Sequence, residues 1–411
     1  MVLEFPTSRN GWKLDAVGLL AVIGETTTEK CAEPMTASYL CLLPRLIPAP
    51  QALIRPNRRE SLARVPASIV GVHTGMVQTQ LPYIANQIHP IADIPPYAVI
   101  VLEITHHPSM HPPRTIPDDE SGTIGTPVRR TTNLERIKSF IPPRPQPLMK
   151  TKAMAPHNVL SVLSTFLTIA LLIWAIVIGD GAATIAIVLL SCATTLFCAA
   201  ALWSPPNRLP TRHMAPVPPG DVVIRTGYGA FLIIKCDENV ARELYFGTEE
   251  VVQVITRGFG SCVGAGTVVF MVAVIMMGNC SWTMQAALAV TYLVLNAVYW
   301  FAALLPSKTH WEFPRYQWRD FTPEDAKYQD VAIGVTSRPS FTRSLWRAIL
   351  ETKSVGWVRK GGAAPNTPIW NEWLDLAEMN AQNGNRRWPF LEEKKRIEDA
   401  WMEKELPKPR S

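Results

Sequence analysis

His106, His107 and His111 stand close enough in sequence for their imidazoles to share a metal ion. They sit in a Pro-rich stretch with no apolar period, where histidines are ordinarily just solvated, so no metal is expected. The seven cysteines include no C-x-x-C pair, which excludes a thioredoxin-like motif and gives no zinc ligand spacing or disulfide framework. Adjacent carboxylates occur at Asp237-Glu238 and Glu249-Glu250, where a helix cap and surface charge are the simplest readings. Gly227-Tyr228-Gly229 is a turn rather than a dinucleotide loop, and Gly361-Gly362 has no phosphate-binding context. A nucleophile elbow, a Walker loop and a zincin helix are all missing from the sequence. The expectation is a protein without catalytic residues, cofactor or metal, and therefore not an enzyme.

The elements that would position any site are easier to read. Four runs, 160–178, 182–203, 259–278 and 284–305, are apolar, free of charge and near the roughly 20 residues that cross a hydrocarbon core. Helices are required there, because lipid offers no partner to backbone N–H and C=O groups. The Gly179-Asp180-Gly181 bend and the 279–283 loop carry no Lys or Arg. Arg129, Arg130, Arg136, Lys138, Arg144, Lys150 and Lys152 precede the first run, and Lys308, Arg315 and Arg319 follow the last. The positive-inside bias then places both termini in the cytoplasm. It also gives a simple origin for the net charge of +6 and argues against a nucleic-acid partner.

Within the runs, Gly260 and Gly264 form a GxxxG pair, the spacing that lets helix backbones approach in lipid. Another span of the same chain is the favoured partner, with a homo-oligomer as the alternative. Asn296, at mid-span, reads as an interhelical hydrogen bond. Trp174, Trp203, Trp282 and Trp300 fall where indole rings anchor at the interface. None of the runs holds Asp, Glu, Lys, Arg or His, which argues against proton or ion transport. Asn279-Cys280-Ser281 fits the N-glycosylation pattern, but it abuts the membrane and a helix-end hydrogen bond is the preferred role.

The flanks divide into three. Residues 1–153 are Pro-rich and read as largely disordered. Residues 207–258 predict a small cytoplasmic module, with β-branched runs at 221–226 and 230–235 forming a hairpin before a helix over 238–246. The Trp-rich tail, 307–411, predicts a basic amphipathic helix over 340–353, which would lie in the headgroup layer or pack on that module. A second tail helix follows Thr367-Pro368, and a third, charged and solvated, runs over about 390–406. The expected fold is thus mainly α: a four-helix transmembrane bundle (154–306) with that β-hairpin-plus-helix module, a partly helical tail and a disordered N-terminal region.

The stretches GDVVIR at 220–225, KCDENVAREL at 235–244, GNCSWTMQAAL at 278–288 and GWVRK at 356–360 resemble a group of uncharacterised integral membrane proteins of filamentous fungi. The likeness covers about 154–388 and implies four spans with a cytoplasmic tail, but no activity. Such proteins look as if they begin near Met154, so 1–150 also reads as an extension from a mistaken gene model. The leading functional expectation is a non-enzymatic, membrane-anchored scaffold that holds a protein partner through 207–258 or the tail. The alternative is an oligomeric small-molecule or lipid transporter.

Overall fold

The computed structural model describes residues 24–54, 62–107, 146–205, 207–208, 217–247, 252–254, 258–327 and 340–405. His111, the basic residues from Arg129 to Arg144, and Glu249-Glu250 lie outside the described residues. The chain divides into two compact units, each built from three separate stretches. The first holds Met1–Ser61, Met149–Pro206 and Glu250–Glu312, and the second Leu62–Leu148, Asn207–Glu249 and Phe313–Ser411.

In the first unit, α1 (Glu25–Thr36) precedes four long apolar helices: α3 (Pro156–Ile178), α4 (Gly181–Ala201), α6 (Phe259–Gly278) and α7 (Trp282–Leu304). All four are long and apolar enough to cross a membrane, and they match the four predicted runs to within a few residues. Pro156 opens α3, where its missing N–H costs nothing. Gly179 closes it at φ 78°, a left-handed conformation that suits glycine. Asp180 then caps α4 by accepting from the Ala183 N–H at 2.9 Å. Its other oxygen accepts from the Ser281 N–H at 2.8 Å and so ties the two short turns together. The hydroxyls of Ser161, Thr168, Ser191 and Thr291 donate to carbonyls of their own helices, so none of these four is an orphan donor.

The predicted disorder of 1–153 needs correction for 24–54 and 62–107. Residues 24–54 fold into the first unit as α1 and two 3-10 turns, Tyr39–Leu42 and Pro50–Ile54. Cys31, Met35, Cys41, Leu46, Ile47 and Ala49 are all buried. The Leu46 N–H donates to Thr168 Oγ1 at 3.0 Å, twelve residues into α3 and so about 18 Å along it. Thr28 Oγ1 donates to the Pro48 carbonyl at 2.7 Å and closes the segment on itself. Irregular backbone at that depth is tolerated where protein surrounds it.

The second unit is a six-stranded mixed sheet that also carries the short helix α2 (Tyr83–Ile88). Its strands are β1 (Val65–Gly71), β2 (Val77–Leu81), β3 (Val99–His106), β4 (Val222–Arg225), β5 (Phe231–Lys235) and β6 (Tyr316–Asp320), in the order β6-β3-β5-β4-β1-β2. The expected hairpin is present, with Val222 opposite Ile234 and Arg225 opposite Phe231. It is not a free-standing module, because β1 flanks it on one side and β3, in parallel, on the other. Three of the six strands therefore come from the region expected to be disordered. Val70, Val101, Val223, Phe231 and Ile233 pack against α8 (Phe341–Thr352), α9 (Gly356–Lys360), α10 (Pro368–Gln382) and α11 (Phe390–Glu405). The alternate residues Ile69, Ile104, Val222, Ile224, Leu232 and Ile234 are buried as well. A strand buried on both faces shows no polar–apolar alternation, which is why β1 and β3 escaped the periodicity reading.

The helix α5 (Glu238–Leu244) follows Asp237, whose side chain makes no cap bond. α8 buries Leu345, Trp346 and Ile349 against the sheet, so of its two expected placements it takes the one on the module. Thr367 caps α10 as predicted by accepting from the Trp370 N–H. α11 is not simply solvated, since Ile397 is buried and Lys394 lies over the Trp370 ring.

Candidate functional site

The interior of the first unit holds a charge that the four apolar runs do not supply. Pro44, Pro48 and Pro50 disfavour helix at the residues before them and so break any helix through 43–50. The Leu40, Cys41 and Leu43 carbonyls there accept from Arg45 Nη1, at 3.1, 2.8 and 3.3 Å. Arg45 is 0% exposed. Its Nε and Nη2 have no hydrogen-bond partner, and neither has the hydroxyl of Tyr299 on α7. That phenol and the thiols of Cys41 and Cys198 adjoin the guanidinium, and no carboxylate forms an ion pair with it among the described residues. A charged side chain buried without a counter-charge is costly.

Sequence reasoning passed over Arg45 because it looked only within the helical runs. A signal was available: residues 40–54 are fifteen residues with a single charge and three prolines, too apolar for a solvated leader.

The predicted helix-packing residues behave differently from expectation. A Cβ built on Gly260 or Gly264 meets no atom within 4 Å, so among the described residues the GxxxG pair packs against no other span. The close approach of α6 to α4 is at Gly266, where a Cβ would lie 2.8 Å from Phe197 Cε1. Asn296 Oδ1 is buried without a hydrogen-bond partner and faces Gly24, ahead of α1, instead of bonding another span.

Of the four tryptophans expected at an interface, Trp174, Trp282 and Trp300 are exposed at 45, 42 and 51%. Trp203 is the exception. It is buried, its Nε1–H donates to the Glu33 carbonyl at 3.1 Å, and its ring tilts against Trp311. Trp174 and Trp282 also flank an apolar groove of about 540 Å³ between α3 and α7, floored by Leu171, Ala287 and Thr291. Asn279 makes the expected helix-end bond, donating to the Ile275 carbonyl at 2.8 Å.

The second unit has its own buried polar centre, on Glu243 of α5. Arg315 Nη2 donates to Oε1 at 2.7 Å, the Tyr316 hydroxyl donates to Oε2 at 2.8 Å, and His106 Nε2 lies 3.1 Å from Oε2. Burial works to raise this carboxyl, but the His106 hydrogen bond and the Arg315 charge outweigh it and hold it below the usual range. His106 is therefore committed to a carboxylate, and no cluster able to hold a metal occurs among the described residues. Nearby in the same unit, His89 Nε2 and the Tyr245 hydroxyl are 2.7 Å apart, and burial lowers His89 to about 4. With every Glu243 oxygen bonded, this centre joins α5, β3 and β6 and offers no free reactive atom. Comparison with known protein families, with characterised proteins and with solved structures found no match to this chain.

Proposed function

We propose that this chain is a multi-pass integral membrane protein with cytoplasmic termini that acts without catalysis, as a membrane-anchored scaffold. The topology is supported by the sheet: β1–β3, β4–β5 and β6 are separated by α3–α4 and α6–α7, yet they pair in one layer. Each pair of helices must then return the chain to the side it left. The cations flanking those helices make that side cytoplasmic.

The scaffold reading rests on the edge strand β2. Its sequence, V-Q-T-Q-L, carries neither charge nor proline, the usual devices that discourage edge pairing, and Val77 is 46% exposed. Such an edge suits an extended peptide added as a further strand. The test is affinity purification of the full chain from its native membranes, beside a Gln78→Lys/Gln80→Lys variant. A stoichiometric protein partner that the variant loses supports the reading, and equal recovery or no partner removes it.

The second reading is an oligomeric small-molecule or lipid transporter, favoured by the buried Arg45 and the groove between α3 and α7. Solute or lipid movement in reconstituted vesicles that Arg45→Met abolishes would establish it. The likeness to the fungal four-span group agrees with either reading and assigns no activity.

A further inference from the structure

We propose that Arg45 and Tyr299 hold one small monovalent anion, such as a halide, inside the first unit. This does not depend on the scaffold reading. Arg45 cannot shed its proton, so its charge stays when it is buried. One edge of the guanidinium is spent on the Leu40, Cys41 and Leu43 carbonyls, which bind N–H groups without neutralising them. What remains is Nε–H and Nη2–H, donors without partners, beside the Tyr299 hydroxyl, which lies against the guanidinium and Ser164 without closing a hydrogen bond to either. A set of donors around an uncompensated cation recognises an anion.

Size and charge narrow the class. Cys41, Leu46, Ile47 and Ala49 beside Arg45 in the chain are each 0% exposed, so the ligand sheds its water on entry. A monovalent ion is cheaper to dehydrate than a divalent one, and it balances a single guanidinium without leaving a net buried charge. The Cys41 and Cys198 thiols are the internal competitor, because a thiolate there would supply the same counter-charge.

The test uses the full chain in lipid nanodiscs, with the melting temperature followed as bromide replaces gluconate at constant ionic strength. The expected result is a saturable rise, as for any ligand that binds only the folded state. Tyr299→Phe keeps the ring and removes one donor, so the half-saturating bromide concentration should rise several-fold. Arg45→Met should abolish the response, and if that variant does not fold, Tyr299→Phe carries the test alone. No response in the native chain overturns the proposal. So does an unchanged half-saturation in Tyr299→Phe, which would place the ion elsewhere. A response that appears only in Cys198→Ser also overturns it, by identifying the thiolate as the counter-charge.

Discussion

Replacing Gly266 by leucine should loosen the first unit, while the same change at Gly260 or Gly264 should not. At 266 even the first added carbon lies 2.8 and 3.0 Å from Phe197 Cε1 and Cδ1 and 3.3 Å from Leu196 Cβ. The Phe197 ring cannot simply swing aside, because it is 1% exposed and held edge-on to Phe270 at a centroid distance of 6.2 Å. Overpacking of this kind costs about 1–3 kcal/mol. It is opposed by the gain of roughly 0.8–1 kcal/mol when a better helix former replaces glycine. Since three further carbons follow the Cβ, the upper part of the clash range applies and destabilisation wins at 266. At 260 and 264 only the gain remains, as no atom of the described residues lies within 4 Å. Thermal unfolding in a mild detergent at low protein concentration would measure this, with a drop of several degrees for Gly266→Leu and no drop for the other two. Gly264→Leu falling as far as Gly266→Leu, or Gly266→Leu melting like the native chain, would refute the close approach of α6 to α4 at Gly266.

Removing the Glu243 carboxylate in Glu243→Ala leaves Arg315, itself 1% exposed, without its carboxylate, and should cost about 3–5 kcal/mol in unfolding of the second unit. That carboxyl is held below its normal range, so its stabilising share is present above the unfolded pKa and is lost as pH falls through the folded one. His89 acts in a higher window. Its pKa drops from 6.5 to about 4 on folding, so its share is whole above pH 6.5 and declines as pH falls toward 4, by up to about 3 kcal/mol. Denaturant melts of the full chain at pH 7 and 5 should show the loss, and His89→Phe should flatten the slope. A chain begun at Met154 lacks α1 and strands β1–β3, so β4 and β5 each lose a neighbour. It should be degraded on expression, whereas a stable product of 154–411 would support the mistaken gene model.

What could be read from the sequence follows the range of the forces involved. The four long helices were legible because a membrane span must satisfy its hydrogen bonds locally and announces this with an unbroken apolar run. The β4–β5 hairpin and the Thr367 cap were legible for the same local reason. β3 was not, since its partners β5 and β6 lie more than a hundred residues away, and β1, although β2 lies next to it in sequence, pairs its other edge with the equally distant β4; burial on both faces also erases alternation. Gly260 and Gly264 matched a spacing rule, but Gly266 faces Phe197, and helix rotation is set by the partner surface rather than by spacing. Trp203 was placed at the interface by its position at a helix end, and Glu33, from a distant segment, supplies the bond that draws it inside. Arg45 was hidden because prolines disguised a buried segment of the first unit as a linker.

Sidedness is the most direct test of the account. In a cysteine-free chain in sealed vesicles, single cysteines at Lys150, Lys308, Lys360 and Asn279 would be challenged with a membrane-impermeant maleimide from the non-cytoplasmic face. The account predicts that Asn279→Cys alone is labelled, the other three reacting only after permeabilisation. Labelling of Asn279→Cys and Lys308→Cys from the same face would contradict four crossings with the sheet on the cytoplasmic side.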